Sequence, residues 1–355
     1  MSALFEAKGT ASLKRRIAAG LTVVVGVVLL ISTFANNLFK VGPDFEEMID
    51  DFRPMLAEEA IATAKADLAV LGGVGAEFET GIVPAMSQQL GMTGEEFMGF
   101  VATNFSDVAS GVEALPEIVP TFTGLIETLD SQRELFESAD AIPTESLPAT
   151  TVPWGLFFAG IALIIAGVLL YKPGWLGLAL TGALGAAIVI AVLVLSLIPK
   201  AADADELNEN LEPIYTPELV AQAEGAVGLV SAMGTQMQTE MLPALAEQLG
   251  MGGDQLNAFL GENFPTTAQA LSILPEAIPR FQGLAANFGN NLDNYETLKP
   301  VGFSAIIWTL FIGGLVTLAA YLMASWGKFR DEDVVLIADS PAEALDEAKR
   351  GQLRV

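Results

Sequence analysis

Residues 84–125 read PAMSQQLGMTGEEFMGFVATNFSDVASGVEALPEIVPTFTGL, and residues 243–284 read PALAEQLGMGGDQLNAFLGENFPTTAQALSILPEAIPRFQGL. The two align without a gap at a constant offset of 159, with 18 of 42 positions identical. Gly91, Met92, Asn104, Phe105, Pro116 and Phe122 are matched by Gly250, Met251, Asn263, Phe264, Pro275 and Phe281. The offset holds further out. It lays the apolar run after Arg16 over the one after Trp175, and Pro54 and Glu59 over Pro213 and Glu218. Toward the far end the register slips by five, matching Trp154-x-Leu156-Phe157-x-x-Gly160 to Trp308-x-Leu310-Phe311-x-x-Gly314. A period this long marks a duplicated domain, not a solenoid repeat.

Each unit begins and ends in an apolar run. The sequence therefore predicts an all-α integral membrane protein with four transmembrane helices and two homologous helical extracytoplasmic domains. This is a tandem duplication of a span–ectodomain–span unit, with parallel repeats. The expected segments are a cytoplasmic N-terminus at 1–16, spans at 17–39, 152–171, 176–198 and 303–326, ectodomains at 40–151 and 199–302, a turn at 172–175, and a tail at 327–355. A cleaved signal peptide is the rival reading of the first run, with Thr33-x-Ala35 as a loose cleavage site. The run is long for that, and its twin lies mid-chain.

Short basic segments orient the chain. Residues 1–16 carry a net +3 and the turn carries Lys172, whereas residues 39–151 carry −17 and residues 199–302 carry −11. By the positive-inside rule both termini are cytoplasmic and the two inserts are outside. The whole chain has 355 residues, is 52% hydrophobic and has a net charge of −26. That charge argues against nucleic acid as a partner. There is no cysteine and no histidine, which removes thiolate chemistry and the commonest base and metal ligand. An Ala/Gly/Leu-rich, Lys-poor composition points to a GC-rich prokaryotic genome, and so to the cell envelope.

The inserts read as helices. Phe97, Phe100, Val101, Asn104, Phe105, Val108, Val112 and Leu115 fall on one helical face, and Leu256, Phe259, Leu260, Asn263, Phe264, Leu271 and Leu274 repeat it. Thr93-x-x-Glu96 is a capping box, and Gly91 and Gly250 suit helix stops. Phe45, Met48, Ile49, Phe52 and Leu56 form an upstream stripe. Pro116 and Pro120 are expected to open a further helix with Phe122, Leu125, Ile126 and Leu129 on its face. Residues 138–153 are expected to be irregular, residues 285–300 form an Asn-rich linker, and Ser340-Pro341-x-Glu343 predicts a short capped helix in the tail.

Candidate sites are few. Asn104 and Asn263 interrupt apolar stripes and are expected to be buried, as core hydrogen-bonding residues or ligand contacts; burial would forbid use of the Asn104-Phe105-Ser106 sequon. Phe105, Phe264, Met92, Met251, Pro116 and Pro275 complete the set of repeated positions expected to carry structure or interaction. The insert methionines fill a core or line an apolar groove. Acidic clusters at Asp44, Glu46, Glu47, Asp50 and Asp51, and at Asp203, Asp205, Glu206 and Glu209, are solvated helix starts or a weak divalent-cation site. The spans hold no ionisable residue in their interiors, which disfavours proton-coupled transport, and span three is rich in small residues that let helices approach closely.

No nucleophile–base pair, phosphate loop or zinc spacing occurs, so no enzyme activity and no cofactor is expected. The topology is similar to that of tetraspan proteins such as tetraspanins and claudins, but the cysteines their outer loops rely on are absent. The leading expectation is a scaffold or accessory subunit of the envelope that contacts membrane lipids and either an envelope protein or a second copy of itself. The alternatives are a lipid or hydrophobe handler with an apolar groove between the repeats, and a channel along the pseudo-twofold axis.

Overall fold

The computed structural model describes residues 2–338 apart from 145 and 173, with side chains described within 13–326. The expected tail helix after Ser340 lies outside the described residues. The described chain is helical and has no strand. The first repeat comprises α1 (Ser2–Ala35), α2 (Leu38–Phe52), α3 (Glu58–Glu77), a π-helical turn (Phe78–Ile82), α4 (Val83–Leu90), α5 (Gly94–Asn104), α6 (Ser106–Ser131), α7 (Arg133–Asp140) and α8 (Thr151–Tyr171). The second comprises α9 (Trp175–Val194), α10 (Leu197–Leu211), α11 (Pro217–Gln236), a π-helical turn (Met237–Met241), α12 (Leu242–Leu249), α13 (Gly253–Asn263), α14 (Pro265–Asn290), α15 (Leu292–Leu298) and α16 (Phe303–Ala338). From α2 to α7, element starts recur in α10 to α15 at the sequence offset of 159, including both π-helical turns.

Among the described residues, five helical stretches are long and apolar enough to cross a membrane: Leu13–Ala35, Glu58–Leu90, Thr151–Tyr171, Trp175–Val194 and Phe303–Trp326. Four match the expected spans. Glu58–Leu90 is additional, and its mean hydropathy of 1.2 is well below the 2.0–2.5 of the others. The helices over the first and third expected spans, α1 and α9, end earlier than those spans were drawn, at Ala35 and Val194. The chain breaks at the twin residues Asn37 and Ser196, with φ of 50° and 52°, a region that L residues seldom enter. Pro199 follows the second break by three residues, whereas no Gly or Pro stands within four residues of Asn37.

The chain forms two compact units. In the apolar bundle α1 packs along α8 and α16, and α9 along α8 and α16. Glycines set the closest approaches. A Cβ at Gly26 would lie 2.6 Å from the Gly160 carbonyl oxygen, and one at Gly167 would lie 2.9 Å from that of Ala19. In the second repeat, Gly185 and Gly314 are similarly close to Leu318 and Ile188. Thr22, Thr33, Thr181 and Thr317 are fully buried, and each hydroxyl donates to the carbonyl four residues earlier. Large apolar side chains such as Val24, Ile31, Phe158, Val168, Ile190, Val194, Ile312 and Leu322 point outward and are exposed.

The second unit holds both inserts, which form one compact body. Its centre is a ring of four helices in which each packs on one helix of its own repeat and one of the other: α3 packs on α6 and α14, and α11 packs on the same two. The upstream stripe Phe45, Met48, Ile49, Phe52 and Leu56 is buried as expected, and so are Phe122, Leu125, Ile126 and Leu129. Gly91 and Gly250 stop α4 and α12 with φ of 69° and 64°. Thr93 and Glu96 form the predicted reciprocal cap on α5, whereas Gly252 has no hydroxyl and keeps only the half made by Gln255.

Two expectations need correcting here. Pro116 and Pro120 lie inside α6, not at the start of a helix, and Pro275 and Pro279 lie inside α14. The Pro116 and Pro275 rings sit on the exposed side of their helices. Each proline lacks the N–H that would bond four residues back. For Pro275 the carbonyl left over is that of Leu271, which accepts from Gln238 Nε2 at 3.4 Å. The expected irregular linker at 138–153 shrinks to residues 141–150, and the Asn-rich segment is helical through α14 and α15.

Candidate functional site

The insert unit is organised about a local pseudo-twofold axis. The twin rings Phe122 and Phe281 meet edge to face, with centroids 5.5 Å apart, so the axis runs between them. Contacts then occur in exchanged pairs. The Glu77 carboxylate accepts from the N–H groups of Thr266 (3.3 Å) and Thr267 (2.6 Å) at the start of α14. Its twin Gln236 accepts through Oε1 from the N–H groups of Asp107 (2.8 Å) and Val108 (3.1 Å) at the start of α6. Each repeat thus caps the long helix of the other, satisfying N–H groups that have no partner within their own helix. Burial pushes the Glu77 carboxyl up, but the hydrogen bonds from Thr267 and Thr266 outweigh it and hold the group below its ordinary value.

A second exchange joins Asn291 Nδ2 to Asp51 Oδ2 (2.7 Å) and its counterpart Asn210 Nδ2 to Gln132 Oε1 (2.8 Å). A third position keeps the ion pair but reverses its charges. Arg53 binds Asp140 at 2.7 Å, and at the twin positions Lys299 binds Glu212 at 2.6 Å. One buried pair breaks the symmetry: Asp67 on α3 accepts from Arg280 on α14, where the twins are Ala226 and Thr121. Burial pushes the Asp67 carboxyl up, Arg280 pulls it back and Glu276 adds to the rise. Tyr215 and Tyr295 stack at 4.5 Å beside Phe288, and the Tyr295 hydroxyl donates to the Asn208 carbonyl. Burial and then nearby Glu212 push Tyr295 up to about 12.

The core around this axis is tightly closed. A cavity of about 30 Å³ lies among Phe78, Met86, Met237, Met241 and Phe264, one of about 20 Å³ beside Phe122 and Phe281, and one of about 10 Å³ beside Phe52 and Tyr215. These volumes suit a water molecule or two. Met86, Met233, Met237 and Met241 are buried as core filling.

The repeated positions singled out in the sequence do not converge on one site. Phe105 and Phe264 are buried, each edge-on to the preceding ring, Phe100 or Phe259, at 5.9 Å. Met92 is exposed and Met251 half-buried at helix-stop turns. Asn104 and Asn263, expected to be buried, are exposed. Each Nδ2 donates to a carbonyl four residues earlier, Phe100 or Phe259. The cause is the helix break at Phe105 and Phe264, where φ is −136°: it ends the predicted stripe and turns the Asn outward. Steric burial therefore does not bar the Asn104 sequon. Among the described residues no group of three or more acidic side chains is arranged to hold a metal ion. Acids of the two clusters have protein partners instead: Asp50 binds Arg53, Asp51 accepts from Asn291, and Asp203 accepts from Ser138.

Sequence reasoning missed Glu77, Gln236, Asp51, Asn210, Gln132, Asn291, Asp67 and Arg280. The first six were visible as polar residues paired at the offset of 159; Asp67 and Arg280 carried no such signal. Comparison with protein-family models, curated proteins and solved structures finds no match to this chain.

Proposed function

We propose that this chain is a non-enzymatic multi-pass protein of the cell membrane, built by duplication of a span–insert–span unit. In this reading α1, α8, α9 and α16 cross the bilayer, both termini are cytoplasmic, and the acidic insert unit lies outside. It serves as a scaffold or accessory subunit that presents the insert unit to another envelope protein. The outward-facing apolar side chains and inward glycines of the four-helix bundle support the membrane assignment. The fifth apolar stretch, Glu58–Leu90, belongs to the insert unit in this reading. It carries Lys65 paired with Asp130, Asp67 paired with Arg280, and the Glu77 cap.

The observation that carries the binding role is the closed, symmetric core of the insert unit. Its cavities reach only about 30 Å³, whereas enclosing a lipid chain or substrate takes several hundred Å³. A rigid body with a filled core and an acidic surface can present a surface, but it has no chamber in which to process a ligand. Cross-linking in native membranes followed by mass spectrometry tests this. A stoichiometric envelope protein linked through the insert unit is expected. A monomer with no linked protein would overturn the scaffold reading.

A further inference from the structure

Three cations, Arg15, Arg16 and Lys172, belong to one end of the apolar bundle. Arg15 on α1 reaches the α8–α9 turn, donating from Nε to the Leu170 carbonyl at 2.7 Å and from Nη2 to those of Lys172 and Gly174 at 2.8 and 2.6 Å. Its guanidinium is thus engaged by carbonyls at the end of α8. The same contacts bring its neighbour Arg16 to the turn that carries Lys172, whereas Lys14, two residues away on α1, does not share that face. The Arg16 guanidinium lies over the Tyr171 ring, 5.6 Å from its centroid. Lys14, Arg16 and Lys172 are exposed, and none of them has an acidic partner among the described residues. This is unusual in a chain of net charge −26. Elsewhere Arg53, Lys65, Arg280 and Lys299 each face a carboxylate.

The surface beside these cations is apolar and open: Leu13, Ile17, Tyr171, Trp175 and Leu176 are all exposed. Beneath it Ala18, Ala19, Leu170, Leu178 and Ala320 form a buried cluster that fixes the platform. A ligand matching both features has an anionic head and an apolar tail. We propose that Arg16 and Lys172 hold the phosphate of an anionic phospholipid whose chains lie along the exposed apolar face. This rests on the reading of the bundle as membrane-spanning. Arg15 acts differently: it locks the turn and so positions the other two. A free phosphate would use the cations and leave the apolar face bare, whereas a lipid covers both.

The test uses the full chain in mixed micelles holding equal amounts of phosphatidylglycerol and phosphatidylcholine, with native mass spectrometry of the retained lipid. The wild type should retain phosphatidylglycerol preferentially. Arg16→Gln with Lys172→Gln should cut that preference about tenfold, since each cation near an anionic surface is worth several-fold. Arg16→Lys, which keeps the charge, should retain most of it. No preference in the wild type, or an unchanged preference in the double variant, would overturn the proposal. So would full displacement of the lipid by millimolar inorganic phosphate, which would assign the cations to a free anion. Flotation with neutral phosphatidylcholine vesicles reads the underlying assignment separately. Failure to float overturns the membrane reading, whereas flotation without a phosphatidylglycerol preference overturns only the lipid site.

Discussion

The two compact units are each built around four long helices, two from each repeat, yet they are packed by opposite rules. In the apolar bundle the contacts are glycine against backbone, as at Gly26 and Gly160, and the large side chains face outward. In the insert unit Phe78, Phe97, Phe122, Phe281 and Phe288 face inward, and the repeats are tied by exchanged hydrogen bonds. On the proposed membrane reading, the difference follows from the solvent each unit is built for. In lipid, burying a large apolar side chain gains little, so close backbone approach must hold the helices together. In water, burial of that side chain is the main source of stability.

The symmetry of the insert unit can be broken most sharply at its one unmatched buried pair. Asp67→Ala leaves Arg280 facing an apolar wall and should destabilise the unit by about 2–3 kcal/mol. Adding Arg280→Thr recreates the Ala226/Thr121 arrangement of the other half and should recover most of that loss. Chemical denaturation of the four proteins of this cycle reads both effects. In the apolar bundle the corresponding contrast is between two glycines of α8. Gly160→Ala would set a Cβ 2.9 Å from the Gly26 carbonyl oxygen, whereas Gly155 has open space around it. The first should cost about 1–3 kcal/mol. The second should be neutral or slightly stabilising, because Ala favours a helix. Thermal melts in the same detergent compare them directly.

A smaller effect tests the exchanged caps. Glu77→Ala strips two N–H groups of α14 of their acceptor and should cost about 1 kcal/mol. Glu77→Gln copies what Gln236 already does at the start of α6, so its cost should be only a few tenths of that figure. The pH dependence separates the two acceptors. The Glu77 carboxyl is held below its ordinary value of 4.5 in the folded chain. Its extra stabilisation is therefore present above that value and is lost as pH falls through the depressed one. The wild type and the Gln variant should converge in stability in acid and diverge slightly near neutrality. Melts at a series of pH values would show it.

Much of this architecture was legible in the residues. The offset of 159, the apolar runs, the Thr93 cap and the glycine stops all depend on short-range patterns, which a sequence carries openly. Three things were not. Phe105 breaks a helix without a Gly or Pro to mark the place, and at its twin the sign is only Pro265 after Phe264, so Asn104 and Asn263 were assigned to the wrong face. Pro116 and Pro275 sit inside helices because their rings face outward, and for Pro275 the freed carbonyl finds Gln238; that partner lies on another element. The exchanged caps join Glu77 to Thr267, 190 residues away. No local pattern encodes such a contact, although the polar twins at fixed offset would have flagged its members. Hydropathy alone does not separate Glu58–Leu90 from a membrane span, and Lys65, Asp67 and Glu77 find their partners only elsewhere in the fold.

That fifth apolar stretch makes the central claim testable by sidedness. With four spans, the two inserts share one side of the membrane and both termini share the other. If Glu58–Leu90 also crossed, residues 110 and 272 would move to the side of the N-terminus and residue 342 to the opposite side. The chain has no native cysteine, so Ser110→Cys, Ser272→Cys and Ala342→Cys can each be introduced alone. The measurement is labelling of intact cells with a membrane-impermeant maleimide. Labelling at 110 and 272 with protection at 342 is the predicted result; protection at 110 and 272 with labelling at 342 would contradict it.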